Sequence, residues 1–331
     1  MKIWISILFT WVVLGCQQKN IPSNFIELEG QIGDRQKSKL SDIADSISYI
    51  FLETDSNVLL PNISTIVYLD SLDIFIRGGN YVYRFSREGR FVNRLGAVGL
   101  GPEEYPNLKD VSVDVFNRRL LLLTQSSYIY TYGYEGKLIN KLKLGGEIGA
   151  MTSLDDGTFV CEVRSYSDQD YMSSLVQFDQ DGKIMRQVEM GNDNIGFNRS
   201  LQTVSIMYNI NEGVGFKSLY NDTLYIYDGQ RLSLHKTLHL GKFSPSRDLI
   251  ENVEKKVELL SNYVQIIDIV ESDQYLFLLV IMNKGLNGIV VDKLNNRVIY
   301  NQEIESPKIG GGIVNDFHDN SRFWPMLSTG Y

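Results

Sequence analysis

The chain is poor in side chains that do chemistry by themselves. It has three histidines, His235, His239 and His318. His235 and His239 stand four apart in SLHKTLHLG, a stretch patterned as a strand. That spacing puts both on one face but about 13 Å apart, too far to share a metal ion. They read as solvated residues of an outer strand. His318, in NDFHDN, lies between Asp316 and Asp319 and can offer an imidazole beside two carboxylates. Cys161 has no adjacent histidine or basic residue to activate it, and DDGTFVCEV alternates like a strand, so it reads as a small buried residue. There is no HExxH and no nucleophile elbow. GAVGLGPEEY is rich in glycine but is no phosphate loop. It lacks the Gly-Lys-Ser/Thr ending, and Pro102 removes a backbone donor. It reads as a connection that leaves Glu103, Glu104 and Tyr105 as candidate binding contacts. Asp110, Asp114, Asp155, Asp156, Asp268 and Glu271 lie beside strand-like runs. Such acids can hold a divalent cation if the fold converges three of them, although acids are also commonplace in turns.

What must position these residues is a repeat. YVYRFSREGRFVNRLG (81–96), YIYTYGYEGKLINKLKLG (128–145), LVQFDQDGKIMRQVEMG (175–191) and LYIYDGQRLSLHKTLHLG (224–241) are versions of one hairpin. Each turns on Gly89, Gly136, Gly182 or Gly229, with Phe85, Tyr132, Phe178 or Tyr225 four residues earlier. Glycine supplies the positive φ that tight turns need. The glycines are spaced 47, 46 and 47 residues apart. Two further strand-like runs precede each hairpin, such as KDVSVD and RLLLLTQ around VFNR. Four strands per unit at this period mark the blades of a β-propeller, with the aromatic packing blade on blade.

The next equivalent turn is Asn295-Asn296, 67 residues after Gly229, so about 20 residues are inserted. SPSRDLIENVEKKVELL (244–260) accounts for them as a helix. Ser244 is placed to cap it, with Pro245 at the first helical position and an apolar stripe through Leu249, Ile250, Val253, Val257 and Leu260. A sixth turn would fall beyond the last residue. The reading is therefore all-β, a six-bladed propeller of four-stranded blades. Its last blade is assembled from NFIELEG and SISYIFLET at one terminus and GIVNDFHDNSRFWPM at the other. The ending LSTGY leaves that blade one or two strands short.

The charge of −8 and the absence of a basic stripe argue against nucleic acid as a partner. MKIWISILFTWVVLGC has a short basic start and an apolar run too short to span a bilayer, the pattern of a signal peptide. VLGC resembles a lipobox, which would make Cys16 the site of lipid attachment. Residues 1–15 then form the signal peptide, 16–24 the anchor and tether, and 25–331 the propeller. No aspartate follows Cys16, which favours the outer membrane over retention in the inner one.

With VLGC, KLSDIADSISYIFLET (39–54), GAVGLGPEEYPNLKDVSVD (96–114) and FWP (323–325) in view, the chain resembles the six-bladed β-propeller lipoproteins of the Bacteroides type, related to NHL-repeat propellers. The resemblance spans almost the whole mature chain and implies a fold and an envelope address, but no reaction. The expected function is that of a lipid-anchored binding or scaffold protein for an unidentified protein, peptide or glycan. Its membrane contact would run through the N-terminal lipid. Candidate binding residues are Glu103, Glu104, Tyr105, Asp316, His318 and Trp324. No cofactor is expected, an axial divalent cation being the one exception considered. The alternative is a metal-dependent hydrolase or lyase, lactonase-like, with its site at the axial channel mouth.

Overall fold

The computed structural model describes residues 24–326, apart from 33–34, 55–57, 59, 61–63, 167–170, 191–204, 211–212, 219–220, 247, 250–256 and 305–310. After a short strand β1 (Phe25–Glu27) and one helical turn α1 (Glu29–Ile32) come five meandering antiparallel sheets. Blade 1 holds β2 (Ser64–Leu69), β3 (Asp73–Gly78), β4 (Tyr81–Ser86) and β5 (Phe91–Leu95). A small parallel pair, β6 (Ala97–Val98) and β7 (Glu104–Tyr105), leads to blade 2, made of β8 (Leu108–Asp114), β9 (Arg119–Thr124), β10 (Tyr128–Gly133) and β11 (Leu138–Lys143). Blade 3 is β12 (Glu147–Ser153), β13 (Phe159–Tyr166), β14 (Tyr171–Phe178) and β15 (Ile184–Met190). Blade 4 is β16 (Ile206–Ile210), β17 (Gly213–Lys217), β18 (Thr223–Tyr227) and β19 (Leu232–His239). After α2 (Val257–Leu260), blade 5 comprises β20 (Gln265–Glu271), β21 (Tyr275–Met282), β22 (Gly285–Asp292) and β23 (Arg297–Glu303). The chain then forms a two-stranded ribbon, β24 (Ile313–Val314) with β25 (Arg322–Phe323).

The first strands of neighbouring blades, β2 against β8, β8 against β12, β12 against β16 and β16 against β20, pack side by side around an axis. Each middle strand is covered on both faces, which is why it reads as a near-continuous apolar run. In RLLLLT of β9, Leu120 and Leu122 pack with Phe75 and Val82 of blade 1. Leu121 and Leu123 pack with Phe159 and Cys161 of blade 3. The repeated aromatics do what their spacing suggested. Tyr132 packs with Leu95 and Phe75 of blade 1, Phe178 with Leu121 and Ile129 of blade 2, and Tyr225 with Val160 and Leu175 of blade 3. All four turn glycines have φ between 81° and 87°, and Asn296 takes the same role at φ 50°.

The expected blade count is corrected: among the described residues there are five blades of four meandering strands, not six. NFIELEG does not enter a sixth blade. Its strand β1 pairs in parallel with β19, becoming a fifth strand of blade 4. Its apolar residues Ile26 and Leu28 are buried in the core shared by blades 4 and 5. SISYIFLET and the C-terminal segment do meet between blade 5 and blade 1, as a wedge and not as a sheet. Leu40, Ile313 and Trp324 close on Phe277 and Tyr300 of blade 5. Ile50 and Leu52 pack on Ile74 and Phe85 of blade 1. Lys39 bridges Val314, and the Glu53 N–H donates to the Gly89 carbonyl at 2.7 Å.

The insertion between blades 4 and 5 falls where the spacing placed it, but the expected helix over 244–260 does not start at Ser244. Residues 244–246 are not helical, the Ser244 hydroxyl donates to Asp222, and Ser246 accepts from the Leu249 N–H. Gly241–Phe243 form a 3-10 turn and Val257–Leu260 an α-helical turn. Residues 247 and 250–256 lie outside the described set. No helix among the described residues is long and apolar enough to cross a membrane.

Candidate functional site

The five first strands enclose a cavity of about 890 Å³ on the axis. Four of them, β2, β8, β12 and β20, carry a register shift, the kind of irregularity that re-aims side chains toward a site. Three of the carboxylates singled out from sequence, Asp110, Asp268 and Glu271, line this cavity. The other three do not. Asp114 is buried against Arg119 at 2.7 Å and the Asn117 amide at 2.9 Å. Asp155 and Asp156 sit on an exposed turn, where Asp156 accepts from Thr158.

Most of the polar wall is already engaged. Asp110 accepts from the Val111 N–H at 2.9 Å and, across to blade 3, from the Met151 N–H at 3.1 Å. Burial pushes its carboxyl above the ordinary value despite these donors. Arg77 spends its guanidinium on the carbonyls of Gly79, Lys109 and Leu108 at 2.9 to 3.0 Å, and burial lowers its pKa. Ser112 bonds Ser153, and Thr152 donates to Asn209 Oδ1 at 2.9 Å. These links tie blade 2 to blade 3 and blade 3 to blade 4. They leave the Asn209 amide nitrogen facing the cavity, while Asp268, which also lines it, accepts from the Ile269 N–H at 2.9 Å.

Glu271 ends β20 at the seam of blades 4 and 5. It receives His235 Nε2 and Lys293 Nζ, each at 2.8 Å, and the Tyr208 hydroxyl at 3.2 Å. Burial acts to raise its pKa, but the hydrogen bonds and charges of His235 and Lys293 prevail and hold it below the usual carboxylate value. Tyr208 is driven well above the ordinary phenol value, by burial first and by Glu271 second. His235 is thus a cross-blade partner, not a solvated residue. His239, on the same strand, turns instead to Glu27, with Nδ1 at 2.9 Å from Oε2. The two imidazoles serve different carboxylates.

The six candidate binding residues fall into two groups on different junctions. Between blades 1 and 2, Glu103 is exposed and its carbonyl accepts from the Tyr132 hydroxyl at 2.7 Å. Glu104 folds back onto the Gly101 N–H at 2.8 Å. The buried Tyr105 donates to the Asn80 carbonyl at 2.8 Å, with its ring edge-on to Tyr130 and Tyr132. In the wedge, Asp316 accepts from the N–H and hydroxyl of Ser41, while the exposed His318 meets Tyr49 at 5.6 Å between ring centres. Trp324 is buried between Phe277 and Tyr300. None of the six lines the axial cavity. Cys16 lies outside the described residues. Tyr68, Arg77 and Asn209 do line the cavity and were not singled out from sequence. Their only local signal is position on a first or second strand. One set of potential metal donors lies elsewhere: Glu27, Glu29 and His239 bring their ligand atoms within 4.8 Å of one another at the edge of blade 4.

A family model described as "Domain of unknown function (DUF4934)" matches residues 23–330. The chain belongs to this family. No curated protein matches it. Among solved structures it is similar to a putative exported protein of Bacteroides fragilis NCTC 9343. That match has 20% identity and a TM-score of 0.68 over 88% of this chain and 84% of the other. A duf4221 family member from Bacteroides vulgatus aligns at 11% identity and a TM-score of 0.45, over 75% of this chain and 87% of that one. The likeness to the first protein bears on the fold alone; the second carries no argument.

Proposed function

We propose that this propeller is a lipid-anchored envelope protein that binds a neutral, hydroxyl-rich ligand of the glycan type in its axial cavity without transforming it. The observation that carries this reading is the wall itself. Rigid first strands surround a space within the usual range for small-molecule sites, about 300–1,000 Å³, and its charged groups are largely paired within the protein. What the wall offers is the Asn209 amide beside Tyr68 and three methionines, Met151, Met207 and Met326, a surface suited to hydroxyls on one side and apolar ring faces on the other. Anchoring through Cys16 rests on the VLGC motif, and outer-membrane placement on the absence of an aspartate after Cys16.

The hydrolase or lyase reading has one observation in its favour, that Asp110 of blade 2 and Asp268 and Glu271 of blade 5 line the same cavity. Against it, Asp110 and Glu271 already spend their oxygens on Val111, Met151, His235, Tyr208 and Lys293.

The test is to titrate the purified full chain with neutral and uronic-acid oligosaccharides and to follow each for product, with and without chelator. Neutral sugars should bind, more weakly in Asn209→Ala, and emerge unchanged. Chelator-sensitive product, or binding indifferent to Asn209, would overturn the proposal. In cells, Cys16→Ala should lose incorporation of a fatty-acid probe.

A further inference from the structure

The geometry points to a divalent transition-metal site, of the zinc class, formed by Glu27, Glu29 and His239 at the edge of blade 4, where it would clamp the N-terminal strand to the propeller. The site is built by backbone pairing. β1 lies parallel to β19 with Glu27 directly opposite His239. The Leu28 N–H donates to the His239 carbonyl at 2.9 Å, which fixes that register. The chain then turns into α1, which brings Glu29 back toward the same imidazole. There its carboxylate accepts from the Lys242 N–H at 3.0 Å and lies over Gly241. A Cβ on Gly241 would come within 2.0 Å of Glu29 Oε2, so the carboxylate can occupy this position only above a glycine. Phe25 stacks on the His239 ring at 5.4 Å and holds its plane.

Two further features distinguish this set from an ordinary ion pair. First, two carboxylates converge on one imidazole, and neither has a lysine or arginine partner among the described residues. The nearby Lys242 Nζ lies over the Phe243 ring instead. A neutral or even a protonated histidine leaves this convergence with net negative charge, which a dication would cancel. Second, the spacing suits the ion. Zinc bonds of about 2.0–2.2 Å in a tetrahedral shell put donor atoms roughly 3.3 Å apart. Nδ1 and Glu27 Oε2 are 2.9 Å apart, and all three donors fall within 4.8 Å. Small rotations of exposed side chains suffice, since His239 and Glu27 are 43% and 40% exposed. One nitrogen with two carboxylate oxygens suits zinc better than calcium, which takes six to eight oxygens. Water would complete the shell. The site is peripheral, so it takes no part in the axial cavity, and its role would be structural: it joins the strand that follows the tether to the last strand of blade 4.

The experiment is isothermal titration of the chelator-treated full chain with Zn²⁺ and, separately, with Ca²⁺, followed by thermal unfolding. One zinc per chain is expected, with a rise in melting temperature and little response to calcium. Affinity should fall at least tenfold in His239→Ala and in the milder Glu29→Gln, each checked for native circular dichroism. Equal affinity in both variants, or calcium binding as tightly as zinc, would overturn the assignment. If His239→Ala does not fold, Glu29→Gln alone decides.

Discussion

Replacing Glu271 by glutamine removes the anion at the seam of blades 4 and 5 while keeping its shape. Glu271 is 4% exposed and is held by Lys293 and His235, each at 2.8 Å. Removing one partner of a buried pair costs about 3–5 kcal/mol, because the other charge is left behind. Here Lys293 and His235 are 17% and 18% exposed and can relax partly toward water, so a loss of about 2 kcal/mol is expected. With a urea m-value near ~3 kcal/mol/M, the unfolding midpoint should fall by about 0.7 M. The pH dependence has a definite sign. A carboxylate whose folded pKa is depressed contributes stability above its unfolded value and loses it as pH falls through the folded value. The part of the difference that comes from the Glu271 anion should therefore be lost as pH falls below about pH 4.5. Adding Lys293→Met to the variant should cost less than the two single changes summed, by about 1 kcal/mol. A midpoint shift corresponding to less than about 0.5 kcal/mol, together with additive single changes, would refute the claim that this cluster joins the two blades.

Two further predictions concern closure and turns. Trp324→Ala empties a buried site against Phe277, Tyr300 and Gly288, and should cost about 3–5 kcal/mol in chemical unfolding. A loss under about 1 kcal/mol would mean that the wedge does not close the ring on blade 5. Gly229→Ala and Gly89→Ala both place alanine at positive φ, a cost of about 1–2 kcal/mol. Only at Gly89 would the new Cβ also strike backbone, the Phe51 carbonyl at 2.0 Å, so Gly89→Ala should unfold at clearly lower urea than Gly229→Ala.

The blades were legible because what makes them is local. A glycine at positive φ, an aromatic four residues earlier and two preceding strands fall within one repeat, and each repeat packs only on its neighbours. The closing sector was not legible, because its pairing is long-range. NFIELEG alternates like any strand, and nothing within it shows that Phe25–Glu27 will pair in parallel with Thr237–His239, 212 residues away. Assigning both termini to one blade was the simplest arithmetic, and the burial of Ile26 and Leu28 between blades 4 and 5 is what defeats it.

The histidines show how far spacing alone reaches. Four residues apart on one strand, His235 and His239 could be excluded as joint ligands of one ion, and their separate partners are consistent with that. The same reasoning was silent on what each would meet, since their carboxylates arrive from elsewhere in the chain. Glu271 comes from the first strand of the next blade, and Glu27 from a strand added to the edge. In a propeller, an outer-strand residue is solvated only if nothing covers that edge. Here the edge is covered on one side by blade 5 and on the other by the N-terminal strand. That covering brings His235 to Glu271, a residue of the cavity lining, and His239 to a pair of glutamates, although the two stand 4 residues apart on β19.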